Sequence, residues 1–437
     1  MDTVCVVGLW HLGIVNAVGF CEKGYRVIGL EFDRKSIRSL ERGTPPLFEP
    51  GIQELLTKHL RSKRLRFSFS PADVHDATYV VIAYDSSVDE RDTVDIRPII
   101  AAAQSLAPFL QPETLVVITS QVPLGTSERI EAAILKRNRR WRMGVVYTPE
   151  NLKLGDALAR FLQPDMLVLG ANRPEALRAA RALYRPFRTK KRSMDLRSAE
   201  MVKHALNAFL ATSISFSNEI AQLADRLGAD AVRVGEVLRL DKRIGRRALL
   251  IPGLGFSGGT LARDVAQLQT FAREHRYRAR LLESVRAVNA ETFHHATEIV
   301  RRALGRLSGK NIGILGLTYK PGTSTLRRSP AIDIIQRLTA AGAHCVAYDP
   351  MADQREVRAY QRLFRRAPSV AALARGADAL MLVTEWPEFQ HLPYAVLGRS
   401  MRQPMMVDTK NVLDPEMLIT AGFQYVGFGR QRTAPPT

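Results

Sequence analysis

The sequence predicts an α/β chain of two doubly wound parallel-sheet domains joined by a central helical domain, and three observations predict it. Short, β-branched apolar runs alternate with helical stretches through the first part of the chain. Helical periodicity alone then runs from Ser198 to about Leu227, and a second strand–helix–strand opening begins at Asn311. Alternation of this kind implies parallel sheets covered on both faces. The expected limits are 1–197, 198–304 for the helical centre, 305–430, and a flexible tail 431–437.

Val4–Leu9 reads as the first strand, followed by a helix through Lys23, a stop at Gly24 and a second strand, Val27–Glu31, which together open a βαβ unit. Tyr79–Ala83, Leu115–Thr119, Gly144–Tyr147 and Met166–Leu169 read as further buried strands, and the basic cluster Lys190-Lys191-Arg192 as a solvated loop. Met201, Leu206, Leu210 and Ile214 are among the apolar positions of the first long helix, and a second is expected over Arg280–Arg302. Asn311–Leu315, a helix over Ala331–Ala341 closed by Gly342, and Ala343–Tyr348 repeat the βαβ opening. The tail Arg430–Thr437 is polar and contains proline.

The chain has 437 residues, 46% of them hydrophobic, which is enough for more than one filled core. Its formal charge of +20 is spread along the whole length with no basic arm, which argues against nucleic acid while favouring an anionic diphosphate substrate. No apolar run approaches membrane-span length. The opening residues pass directly into a strand with no targeting segment, so a cytoplasmic protein is expected. Cys5, Cys21 and Cys345 are far apart in apolar stretches, without metal-ligand spacing, and read as core residues.

Gly8-Leu9-Trp10-His11-Leu12-Gly13 lies between the first strand and its helix, with Glu31 at the end of the second strand. Glycines at a strand–helix turn let backbone N–H groups approach a pyrophosphate, and the acid accepts from ribose hydroxyls, which favours NAD over NADP. The domain is therefore Rossmann-like, with Gly8, Trp10, Leu12, Gly13, Glu31 and Arg34 assigned to the cofactor. Trp10 stands in the place of the middle glycine, and His11 reads as helix-start packing.

The run Pro252-Gly253-Leu254-Gly255-Phe256-Ser257-Gly258-Gly259-Thr260-Leu261-Ala262-Arg263-Asp264 resembles the catalytic loop of the UDP-glucose/GDP-mannose dehydrogenase family, with Thr260 at the position of the nucleophilic cysteine. The resemblance extends over nearly the whole chain. Gly43–Gly51 is similar to the loop before the family's third strand, and Ser120–Thr126 to its Ser-Thr-Val-Pro-x-Gly-Thr segment, with Gln121 in place of a threonine. Tyr147–Gly155 resembles the loop that carries two catalytic glutamates: Glu150 matches the first, and Leu154 replaces the second. Lys203 and Asn207, four residues apart on one helix face, match the catalytic Lys/Asn pair. Asp264 matches the aspartate that positions water. Asp241–Gly245 resembles the segment whose arginine, here Arg243, reaches the sugar nucleotide in a neighbouring subunit.

In the last lobe Gly316–Thr323 and Arg327–Ala331 are similar to the diphosphate-holding segment, which assigns Lys320 and Arg327 to substrate together with Phe256 and Gly258. Lys410 joins them, in a motif where an arginine is typical. Ser120 and Gln121 are assigned to the cofactor side.

The resemblance implies a homodimeric or larger NAD-dependent oxidoreductase acting on a UDP-hexose, in which Asp264 or its water takes the hydroxyl proton while Lys203 and Asn207 stabilise the alkoxide. Thr260 cannot form a thioester, so the expected chemistry runs without that intermediate. The product is then an aldehyde, a ketone, or an acid made from a hydrated aldehyde. The alternative from another class is a catalytically silent nucleotide-sugar binder that regulates or scaffolds a partner. No metal is expected.

Overall fold

The computed structural model describes residues 2–85, 94–150, 152, 155–257 and 260–430. Two compact units divide the chain, Met1–Leu206 and Asn207–Thr437. The first is built on β1 Thr3–Val7, β2 Arg26–Leu30, β3 Leu65–Ser68, β4 Tyr79–Ile82, β5 Leu115–Ile118, β6 Val145–Tyr147, β7 Met166–Ala171 and β8 Lys190–Met194, in the spatial order β3-β2-β1-β4-β5-β6-β7-β8. The second holds β9 Asn311–Leu315, β10 His344–Tyr348, β11 Phe364–Arg366, β12 Ala379–Leu382, β13 Met405–Asp408 and β14 Gln424–Gly427, in the order β11-β10-β9-β12-β13-β14. Both orders reverse direction beside their first strand, at β1/β4 and at β9/β12, which is where doubly wound sheets bind ligands.

Alternation along the strands supplies a core on each face. Val4 and Val6 pack with Val15, Phe20 and Leu183 on one side of the first sheet, while Cys5 and Val7 pack with Ile28, Ile82 and Trp141 on the other. Phe20, Phe161 and Phe187 meet edge to face, with centroids 5.2–6.1 Å apart. In the second unit, Ile312 and Ile314 face one cluster and Leu315 the other. All three cysteines are buried and unpaired, and burial pushes the thiols of Cys345 and Cys21 up to about 11 and 12 and that of Cys5 higher still. None is a reactive thiolate near neutral pH.

Two sequence expectations are corrected. The first sheet is not wholly parallel, because β7 runs antiparallel to β6, pairing Val146 with Ala171 and Tyr147 with Gly170. Apolar runs encode burial but not strand direction, and a mixed edge is common on such sheets. The Lys190-Lys191-Arg192 cluster is no loop: it lies in β8, the outermost strand, paired in parallel with β7. Charged residues on an edge strand discourage further pairing and erase the hydrophobic alternation by which strands are recognised.

The long helices run Leu196–Leu227 and Arg280–Leu304, within two residues of expectation at every end. No helix among the described residues is long and apolar enough to cross a membrane.

The turn after β1 allows the least substitution. An added Cβ at Gly13 would stand 1.6 Å from the carbonyl oxygen of Gly8, so the helix His11–Glu22 can pack against the strand only with glycine there. Gly13→Ala is expected to cost about 1–3 kcal/mol or more by forced displacement of backbone. Urea unfolding of the two proteins measures it; an unchanged midpoint would show that the helix can shift freely.

Candidate active site

Gly8 adopts a φ of +85°, and its N–H donates to the Leu30 carbonyl at 3.0 Å, which joins the ends of β1 and β2. The Glu31 carboxylate bridges the same loops, accepting from the N–H of Leu9 at 2.9 Å and of Phe32 at 2.8 Å. Trp10 is the N-cap residue of His11–Glu22 and is 53% exposed, so its bulk points away from the turn. Leu12 is buried, but its N–H is directed at the loop after β4. Arg34 begins the next helix and lies 4.3 Å over the Phe69 ring. At the end of β5, Ser120 and Gln121 are both buried, and the Ser120 hydroxyl has no hydrogen-bond partner among the described residues. A tight glycine turn at a helix N-terminus, an acid on the adjacent strand end and an orphaned buried hydroxyl fit a dinucleotide.

His11 bears on this turn through Glu49: its Nε2 lies 2.9 Å from a Glu49 oxygen, and that buried carboxylate also accepts from the N–H groups of Gly155 and Ala157 at 2.9 and 2.8 Å. Glu49 thus fastens the Gly43–Gly51 loop to two helix starts. A surface hollow of about 900 Å³ beside it, lined by Phe48, Glu54, Lys58 and Arg61, contains none of the expected site residues.

The N-terminal part of the helix Leu196–Leu227 carries the next group. Glu200, fully buried, accepts from Gly125 and Ser127 N–H at 2.6 and 2.8 Å; burial pushes its carboxyl upward and these donors oppose the rise. Lys203 donates to the backbone carbonyl of Glu150, and its Nζ lies 3.7 Å from that residue's carboxylate. His204 Nε2 lies 3.0 Å from the Val122 carbonyl. The Lys203–Glu150 pair is nearly buried on both sides, an arrangement in which each charge stabilises the other. Leu154 lies outside the described residues.

In the second unit, buried Asn207 donates from Nδ2 to Asp264 Oδ2. Asp264 is fully buried in the first turn of the helix Leu261–Glu274, where the positive end of the dipole favours a carboxylate. Thr260 is the N-cap of that helix, is exposed, and makes no side-chain capping bond. Gly258 lies outside the described residues.

The Pro252–Phe256 segment leading to it is held by three asparagines that the sequence analysis did not assign. Asn218 Oδ1 accepts from Gly253 N–H at 2.8 Å, and Asn411 Nδ2 donates to the Pro252 carbonyl at 3.0 Å. Asn289 takes the N–H of Phe256 at 2.8 Å and returns a bond to its carbonyl at 3.0 Å. Phe256 itself is buried with Ala208, Ala211, Val265 and Val285.

Arg243 is highly exposed and pairs with Asp241 at 2.6 Å. At the carboxyl end of β9, Lys320 lies 5.6 Å over the Tyr319 ring; Arg327 is exposed, with its N–H on the Thr325 hydroxyl. Lys410 pairs with Glu385 at 3.2 Å. The residue that shapes this loop is Asp349, also unassigned from sequence. Buried at the end of β10, it accepts from Leu317, Thr318, Met351 and Ala352 N–H at 2.8–3.0 Å and from Trp386 Nε1 at 3.1 Å. Its place at the end of the second strand of a βαβ unit matches that of Glu31, and that parallel was the available signal.

Residues 2–188 match the NAD binding domain of the UDP-glucose/GDP-mannose dehydrogenase family, 197–291 its central domain and 313–415 its UDP binding domain. The chain is 36% identical to the UDP-glucose 6-dehydrogenase of Pseudomonas aeruginosa, with 98% of each chain covered. It is 32% identical to UDP-glucose 6-dehydrogenase TuaD of Bacillus subtilis, with 98% and 94% covered. The solved UDP-glucose dehydrogenase of Pyrobaculum islandicum superposes with a TM-score of 0.88 at 32% identity, covering 99% of this chain and 98% of that one.

The asparagine clamp makes a measurable claim. Asn289→Ala removes both bonds to Phe256 and is expected to lower stability by about 1–3 kcal/mol in urea unfolding, the cost of leaving buried backbone groups unpaired. Asn289→Asp keeps an acceptor for the N–H and is expected to lose less. Equal stability of all three proteins would show that the clamp is idle.

Proposed function

The chain belongs to the UDP-glucose/GDP-mannose dehydrogenase family and is an NAD-dependent oxidoreductase acting on the CH–OH of a nucleotide sugar, and from that premise we propose that it oxidises a UDP-hexose without a thioester intermediate. The observation that carries the second half of the proposal is Thr260: an exposed hydroxyl stands at the helix start, and every cysteine is a buried, strongly protonated thiol elsewhere. A hydroxyl becomes a useful nucleophile only when a base removes its proton.

In this reading Asp264, or a water it orients, accepts the substrate hydroxyl proton. Asn207, one helical turn beyond Lys203, is turned toward Asp264 by its own hydrogen bond. Lys203 and Asn207 stabilise the developing alkoxide, and Glu150 sets the charge beside Lys203. Gly8, Leu12, Gly13, Glu31, Arg34, Ser120 and Gln121 would hold NAD, which supplies the hydride acceptor. Lys320, Arg327 and Lys410 supply positive charge for the diphosphate; as a lysine, Lys410 acts as a point charge rather than a bidentate fork. The product is an aldehyde or ketone, or an acid formed from the hydrated aldehyde.

The proposal includes a homodimer. Phe209, Phe216 and Leu223, spaced by seven residues on the helix Leu196–Leu227, are 70%, 46% and 48% exposed, and Leu227 extends the stripe at 78%. An apolar stripe of this length suits a second copy, with Arg243 serving the partner's substrate.

A panel of UDP-sugars with NAD, followed at the reduced-nicotinamide band with mass spectrometry of the product, tests the reaction. Thr260→Ala is expected to slow turnover by about tenfold or less, the loss of one hydrogen bond. Lys203→Ala and Asp264→Asn are each expected to slow it by about a hundredfold or more. A substrate adduct mapped to Thr260 in the intact protein would overturn the non-covalent route. Sedimentation is expected to show a dimer at micromolar concentration and a monomer for Phe209→Asp/Phe216→Asp; a native monomer with full activity would refute the assembly.

A further inference from the structure

The loop after β4 occupies the cofactor turn with the protein's own groups. Asp85 accepts from the Leu12 N–H at 3.1 Å, so a carboxylate sits on a free donor of the first turn of His11–Glu22. Next to it, the Tyr84 ring covers Gly8: a Cβ added to that glycine would lie 3.0 Å from the ring. Both residues follow β4, the neighbour of β1, and so stand at the point where the sheet order reverses. Asp85 is exposed as a residue, but its carboxylate is partly buried against Leu12, and desolvation holds it above the usual carboxylate range. Glu150 adds negative charge nearby, and His11 offsets part of it.

A helix N-terminus is a general anion site because its N–H groups are unpaired and its dipole end is positive. The pyrophosphate of a dinucleotide needs those same donors. We propose that Asp85 is a built-in competitor for the NAD pyrophosphate and that it sets the cofactor affinity of this enzyme. Binding must first move the carboxylate off Leu12 and then keep it beside two phosphates of like charge. The apparent dissociation constant is the intrinsic one divided by the fraction of molecules with Asp85 displaced, and residual repulsion raises it further. The inference rests on the reading that the pyrophosphate lies at the start of His11–Glu22, and the experiment separates the two.

Calorimetric titration of wild type, Asp85→Asn and Asp85→Ser with NAD, ADP-ribose and adenosine decides it, with thermal melts confirming that each variant is folded. Removal of the charge is expected to tighten NAD and ADP-ribose by about fivefold or more, since two unit charges about 4 Å apart interact that strongly even in bulk water. Adenosine, which carries no phosphate, is expected to be unaffected. Folded variants that bind NAD no more tightly than wild type, or that gain equally for adenosine, would overturn the proposal. Phosphate-independent binding by all three proteins, with ADP-ribose no tighter than adenosine, would overturn the placement of the pyrophosphate, and the proposal with it.

Discussion

The candidate active site depends on one requirement, that backbone polar groups of a glycine-rich segment find partners without forming a helix or a strand. Pro252–Phe256 meets it with amide side chains: Asn218, Asn289 and Asn411 come from three separate parts of the chain and satisfy its N–H and C=O groups. An amide offers a donor and an acceptor at once, so Asn289 can take both sides of Phe256, which neither a carboxylate nor an ammonium could do. Gly255, at a φ of +75°, permits the close approach; a Cβ there would stand 2.4 Å from Asn289 Oδ1.

The same logic governs the other loops. Glu49, Glu200 and Asp349 are buried carboxylates that each gather two or more backbone N–H groups at the ends of strands or the starts of helices. Isolated buried charges are costly, whereas a carboxylate surrounded by donors is held firmly. These three loops are therefore organised by charge-assisted bonds, while the sheets behind them are packed by valine, isoleucine and leucine.

Much of this was legible in the sequence, for reasons that differ by element. The strands β1, β2, β4, β5 and β9 are short, mostly apolar runs, and burial on both faces is why they read clearly. β8 did not, because an edge strand made of Lys190, Lys191 and Arg192 carries no apolar signal, and the antiparallel step at β7 is a property of connection rather than composition. Glu31, Lys203, Asn207 and Asp264 stood out as polar residues at motif spacings. Asn289 and Asp349 did not, because their significance comes from contacts distant in sequence that no local pattern encodes. Tyr84 and Asp85 escaped notice likewise, since only the pairing of β4 with β1 brings them to the glycine turn.

Trp10, which interrupts the glycine fingerprint, gives the protein an optical property. The chain has three tryptophans; Trp141 and Trp386 are buried at 1% and 7%, while Trp10 is 53% exposed at the mouth of the cofactor turn. Buried indoles emit toward the blue and hydrated ones toward the red, so the long-wavelength edge of the intrinsic emission belongs chiefly to one side chain. That side chain is the N-cap of the helix His11–Glu22, whose first turn the proposed reading gives to the dinucleotide. On that placement, the residue that makes the motif irregular would let the native protein's own emission report the arrival of the cofactor.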